Sequence, residues 1–224
     1  MKTSRKISKW TGVALLCLFV FSAAGVLVTR WEPVHHTRLM SIRQSQFAKD
    51  KQFKHQYAWV DYNAISPHLV HAVVASEDNR FFQHHGFDWI EIQHAIKENK
   101  WRKHPRGAST ITQQVAKNVF LWPDNSWLRK GLEVYYTALI ECLWPKERIM
   151  EVYLNVAEMG KGVYGAEAAA QHYFKKNASR LTAREAALIA ACLPSPLRRN
   201  PARPSEYMQV RASQILTIMK QYGS

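Results

Sequence analysis

A chain of 224 residues that is 47% apolar can bury one sizeable core and carry one terminal appendage, which leaves little room for a second domain. Its 31 Lys and Arg against 17 acids give +14; five of those bases (Lys2, Arg5, Lys6, Lys9, Arg30) precede the first acid, Glu32, so +9 remains for the rest and calls for an anionic partner: nucleic acid, lipid headgroup or pyrophosphate. Cys17, Cys142 and Cys192 lie far apart in apolar helical context, which excludes a disulfide framework or zinc site and reads as small core or membrane residues.

Residues 10–29 are 20 positions without a charge, and as a helix they span ~30 Å, the thickness of a bilayer's hydrocarbon core. Lys2, Arg5, Lys6 and Lys9 crowd the N-terminal side, so the positive-inside rule keeps that end in the cytoplasm and exports the chain beyond Arg30, with Trp10 and Trp31 at the two interfaces. Ser22 and Ala24 have the small-x-small form of a signal-peptide cleavage site, but the apolar run continues through Val26, Leu27 and Val28, which favours an uncleaved anchor. Residues 32–57 are polar and basic with little periodicity and read as a stalk. A short extended piece over 57–62 comes next.

Ser66-Pro67 opens a helix, with Ser at the N-cap and Pro at the first helical position. Its apolar face, Leu69, Ala72 and Val73, leads to ASEDNRFFQHHGFDW at 75–89, which breaks at Gly86. Adjacent acids after so apolar a run, Glu77 and Asp78, are either a solvated helix end or a chemical site, because a buried carboxylate must find a partner or take up a proton. A second helix is expected from Asp88 to about Ile96. The basic run 97–107 with Trp101 suits a segment touching a charged surface and a solvated loop equally.

Thr110 and Gln113 form a capping box for a helix that Pro123 must end near Trp122. Gln113, Gln114 and Lys117 then share one face, a row of donors opposite Ile111, Val115 and Val119. Residues 127–143 make a helix with Arg129 and Glu133 one turn apart and Lys130 beside them. Pro145 starts another through Asn155, with Ile149, Val152, Tyr153 and Val156 as its apolar stripe. Gly160, Gly162 and Gly165 form a loop that is no phosphate loop, since no strand precedes it and the Walker pattern is absent. An alanine-rich helix over 166–175, a helix capped by Thr182 and Glu185 that closes at Pro194, and a last one from Ser205 to about Gln221 complete an all-α domain.

In this order the motifs resemble those of the peptidoglycan glycosyltransferases, glycosyltransferase family 51. The first is Glu77-Asp78-x-x-Phe81-x-x-His84-x-Gly86, the second Gly107-x-Ser109-Thr110-Ile111-Thr112-Gln113-Gln114-x-x-Lys117-Asn118, the third Arg129-Lys130-x-x-Glu133. Lys146-x-x-Ile149-x-Glu151-x-Tyr153-Leu154-Asn155 with Gly160 and Gly165 is similar to the fourth, and Glu185-Ala186-Ala187 through Pro194 and Pro196 to the fifth. The likeness covers residues 57–201, and the second motif is very specific. Ala108 is a mild departure, where the family often has Gly or another small residue. With no room for a transpeptidase domain, the chain resembles the monofunctional enzyme and not a bifunctional penicillin-binding protein.

The resemblance implies a lysozyme-like, largely helical fold over residues 57–224, preceded by a basic tail at 1–9, an anchor at 10–29 and a stalk at 30–56. It implies polymerisation of lipid II into β-1,4-linked glycan strands, with inversion and release of undecaprenyl pyrophosphate, at the outer face of a bacterial inner membrane. By resemblance, Glu77 is the general base, and Glu133 is the second catalytic carboxylate, holding the bases or a divalent ion. Lys117, Arg129 and Lys130 neutralise the leaving pyrophosphate. Gln114, Thr110 and Asn118 belong to the substrate cleft, and Asp78 and His84 complete that set by shaping the loop that presents Glu77. No cofactor is required, and no dedicated metal site is expected; a divalent cation, Mg or Mn, is an optional bridge on the pyrophosphate. The partners implied are lipid II, the growing strand and the membrane, with division or elongation synthases as candidate proteins and no nucleic acid.

A lytic transglycosylase or muramidase-type hydrolase of the same fold is the rival enzyme, but its chemistry has no use for bases clustered on a pyrophosphate. A tethered nucleic-acid or scaffold binder would rest on the charge alone. If the glycosyltransferase reading holds, Glu77 should be desolvated, with its pKa raised. The carboxyls of Glu77 and Glu133 should stand apart across one groove that also admits Lys117, beyond the ~5–5.5 Å of a nucleophile–acid pair.

Overall fold

The computed structural model describes residues 2–102, 106–124 and 126–222, with side chains from Trp10 onward. The side chains of the basic tail and residues 103–105 of the basic run lie outside the described residues.

Helix α1, Lys2–Val28, contains the stretch Trp10–Val28, long and apolar enough to cross a membrane. Most of that stretch is exposed, and its last turns touch the rest of the chain. Val26 is buried, Ser22 Oγ lies 2.6 Å from Tyr135 Oη, and Trp144 Nε1 donates to Val26 O at 2.7 Å. Arg148 Nη2 then donates to Thr29 O at 2.8 Å and to Glu32 O at 2.6 Å. The last carbonyls of α1 are met mostly by the following backbone, while Trp144 and Arg148 tie the helix end and the turn after it to a distant part of the chain.

The segment expected to be a stalk is folded against the domain. Helix α2, Arg38–Gln46, starts at Thr37, whose hydroxyl accepts from Met40 N at 3.3 Å. Met40 is fully buried, and Arg43 pairs with Glu158. Polar composition hid this helix: one buried methionine, one cap and one distant ion pair hold it, with no apolar stripe. Strand β1, Gln56–Tyr57, comes after it.

Helix α3, Pro67–Glu77, begins where Ser66-Pro67 places it, but the Ser66 hydroxyl donates to Leu181 O at 2.9 Å and caps nothing. Helix α4 is Trp89–Asn99, capped by Asp88. Helix α5, Ile111–Phe120, has the expected capping box, and α6, Trp127–Leu143, has the expected bounds with Ser126 as its cap. Helix α7 is Lys146–Val156.

The glycine loop differs from expectation, because it holds strands β2, Glu158–Gly160, and β3, Val163–Tyr164. β3 pairs antiparallel with β2 and parallel with β1, Gln56 opposite Val163 and Tyr57 opposite Tyr164. Such short strands carry no readable alternation. Gly165 has φ +83°, and a Cβ there would run into Asn155 O, so both its conformation and its lack of a side chain are required. Helices α8, Ala166–Phe174, α9, Ala183–Cys192, and α10, Glu206–Met219, complete the chain.

The core lies around α3, α9 and α10, each of which packs on the other two. Ala186, Ala187, Ala190 and Ala191 of α9 are fully buried, and their small side chains admit Leu69, Ala72 and Val73 of α3. Helix α5 packs Ile111, Val115 and Ala116 inward, against α6 and α7. The two packings fix the C-terminus of α3 beside the N-terminal half of α5. Cys192 is buried as expected, whereas Cys142 is exposed on α6.

Candidate active site

Glu77 is the last residue of α3, and the chain turns sharply at Asp78. Both oxygens of the buried Asp78 carboxylate accept from His84 Nε2, at 2.9 and 3.1 Å, and Oδ2 also accepts from Ile111 N at 3.0 Å. Ile111 is the first residue of α5, so Asp78 satisfies one of that helix's orphan amides and ties the two helix ends together. Thr110 adds a second tie, its hydroxyl donating to Gly86 O at 2.6 Å. His84 is buried against Phe81 and lines neither of the two cavities that border the site, which makes it a support of the loop.

Gln114 Nε2 donates to Glu77 Oε2 at 2.9 Å, and Tyr153 Oη donates to Gln114 Oε1 at 3.4 Å. The amide orientation is thereby fixed, with its donor on the carboxylate. Burial pushes the Glu77 pKa up; Gln114, Arg211 and Lys117 oppose that push, and Asp78 adds to it. Gln113, expected in the donor row, is engaged in the capping box with its Oε1 on Thr110 N.

One turn beyond Gln114 stands Lys117. Burial pulls its pKa down, Glu133 and Glu77 oppose this, and Arg129 and Lys130 reinforce it. Its amine has no hydrogen-bond partner among the described residues. Glu133 of α6 is buried and accepts from Arg129 Nη1 at 2.5 Å and from Lys130 Nζ. The ion pair legible as an ordinary surface contact is thus an enclosed one, with a second cation on the same carboxylate.

Two adjoining cavities border these groups. The larger, about 520 Å³, is lined by Gln114, Lys117, Asn118, Arg129, Lys130 and Glu133 among others. The smaller, about 240 Å³, is lined by Glu77, Asp78, Thr110, Arg106 and Arg211 among others. Ser109 lines both, and Gln114 joins them through its bond to Glu77. Glu77 lines the smaller and Glu133 the larger of these adjoining cavities. Lys117 accompanies Glu133.

Arg211 comes from α10, its guanidinium 3.5 Å from Ser76 O. Nothing local in the sequence marks it, since only the packing of α10 on α3 brings it to Glu77. Leu39, Arg43 and Glu158 of the larger cavity were missed for the same reason. Arg106 belongs to the basic run and pairs with Glu91.

Metal-binding capacity is limited by prior commitments. In the larger cavity, Glu133 is engaged by two cations, Glu158 by Arg43, and Asp124 accepts from Trp122 Nε1 at 3.4 Å. Asp78, His84 and Asp88 offer atoms within 4.8 Å of one another, but Asp78 is held by His84 and Ile111 N, and Asp88 caps α4 and pairs with Arg80 at 3.4 Å. These residues serve as scaffold. A divalent ion in the larger cavity would have to draw most of its ligands from a bound phosphate.

A helical domain with a desolvated carboxylate beside one cavity and clustered cations in the adjoining one has the groups needed to activate a weak nucleophile and to stabilise an anionic leaving group. The chain belongs to the transglycosylase family, whose model matches residues 44–220, and the lysozyme-like helical fold goes with that membership. It is 54% identical over 216 residues, 96% of this chain and 87% of the relative, to a biosynthetic peptidoglycan transglycosylase of Bacteroides thetaiotaomicron. Proteins of the same description from Bdellovibrio bacteriovorus, 52% identical over 211 residues (94% of this chain, 84% of the relative), and Rhodospirillum centenum, 54% over 186 (83% and 79%), are similar to it as well.

Proposed function

We propose that this enzyme, a peptidoglycan glycosyltransferase of cell-wall synthesis, polymerises lipid II into β-1,4-linked glycan strands with release of undecaprenyl pyrophosphate. The observation that carries the reading is the face of α5: Gln114 holds Glu77, and Lys117 one turn on enters the cavity shared with Arg129, Lys130 and Glu133. Helix α5 thus sets the base at the end of α3 beside the cation cluster of α6.

The 4-hydroxyl of the acceptor sugar is a poor nucleophile. Glu77 takes its proton as the oxygen bonds to the anomeric carbon of the lipid-linked strand, and the raised pKa makes the carboxylate a stronger base. The bond to the pyrophosphate oxygen breaks on the opposite face, and the electron pair leaves with the pyrophosphate. Lys117, Arg129 and Lys130 stabilise the charge that develops there. Glu133 holds Arg129 and Lys130 in position. The configuration inverts, with no covalent glycosyl-enzyme. The reaction needs no cofactor; a divalent cation bound with the pyrophosphate would add charge neutralisation.

Helix α1 anchors the enzyme in the inner membrane with the catalytic domain on the outer face, consistent with the basic residues before Trp10. Lipid II and the growing strand are membrane-tethered, so an anchored domain meets them in two dimensions. Purified full-length protein with lipid II in detergent tests the reading. Polymer should form; loss of added polymer would instead indicate a hydrolase, and the absence of both would remove the polymerase assignment.

A further inference from the structure

The chain between α1 and β1 returns over the cation-lined cavity. Helix α2 presents Leu39 and, one turn later, Arg43 to that cavity. Arg43 Nε donates to the two carboxylate oxygens of Glu158 at 3.0 and 3.3 Å, and Nη2 donates to Oε2 at 3.1 Å. Glu158 belongs to β2, and its side chain is 7% exposed. Beside them the buried Met40 and the N-cap Thr37 also fix α2. The Arg43–Glu158 pair carries no net charge, so it adds little to the neutralisation of a pyrophosphate. Its effect is to close the wall: a planar guanidinium gripping a buried carboxylate holds one orientation of α2. Leu39 and Arg43 both precede residue 44, where the family match begins.

We propose that α2 is a lip over the pyrophosphate cavity, latched by Arg43 on Glu158, that retains the lipid-linked strand between additions and so sets the length of the product. The proposal rests on the polymerase reading. For any chain-extending enzyme, mean product length is the extension rate divided by the release rate. A wall that leaves the base and the cations untouched acts on the second of these, and interface changes express themselves chiefly in release.

The test is glycan length against wild type at equal extents of lipid II consumption, read by gel, for Arg43→Gln, Glu158→Gln and the double variant of the full-length chain. All three open the latch and should shorten the strands by at least about threefold. Arg43→Gln leaves a buried carboxylate unpaired and is the one most liable to misfold. Glu158→Gln and the double variant bury no unpaired carboxylate and carry the same test. Strands of wild-type length from Glu158→Gln would overturn the latch. So would recovery of length in the double variant, since the pair would then matter only for its charge balance. Polymer formation by the wild type reports separately on the underlying function.

Discussion

Replacing Glu77 with Gln should lower turnover and raise stability at the same time. The substitution deletes one charge at nearly constant volume, and Gln114 Nε2 still finds an oxygen at position 77. Losing a general base costs about 10²–10⁴ in rate. The stability effect has the opposite sign because burial outweighs the three groups that favour the ionised form. A carboxyl whose folded pKa is raised contributes stability that is present below the unfolded pKa and lost as pH rises through the folded one. Glutamine does not titrate. At pH 8 the variant should therefore melt above the wild type, by about 1.4 kcal/mol for each unit by which the pKa is raised. For a chain of this size each such unit corresponds to about 3–6 °C in Tm. Near pH 4 the two curves should converge. Lipid II turnover at pH 8 and fluorescence melting at both pH values measure the two effects. Turnover within tenfold of wild type would refute the base assignment, and a variant melting below wild type at pH 8 would refute the desolvation argument under it.

The pH profile of turnover should be narrowed from both sides, falling in acid through the raised Glu77 and in base through the lowered Lys117; Lys117→Arg should move the basic limb upward, and an unmoved limb would exclude Lys117 as its source. Arg129→Ala strips one cation from the buried Glu133 while Lys130 remains, so its destabilisation should sit toward the lower end of the about 3–5 kcal/mol for a broken buried pair, measured by denaturant unfolding. Gly165→Ala combines a positive φ with a collision at Asn155 O and should cost about 1–3 kcal/mol, seen as a lower Tm.

The sequence alone placed the features that are decided within one helical turn. The Thr110–Gln113 and Thr182–Glu185 capping boxes, the bounds of α6 and the Arg129–Glu133 pair depend on residues three or four apart, and the helical period makes such pairs visible in any sequence. The motif order led from there to the family. Only the tertiary structure decided that the polar segment after α1 is a cavity wall, because its hold on the domain includes the burial of Met40 and the grip of Arg43 on Glu158, 115 residues away. Only it brought Arg211 of α10 to Glu77 and joined Glu77 of α3 to Gln114 of α5. Each of these depends on a contact between segments far apart in the chain. No periodicity records such a contact, since its energy appears only when helices that fold by local rules pack against one another.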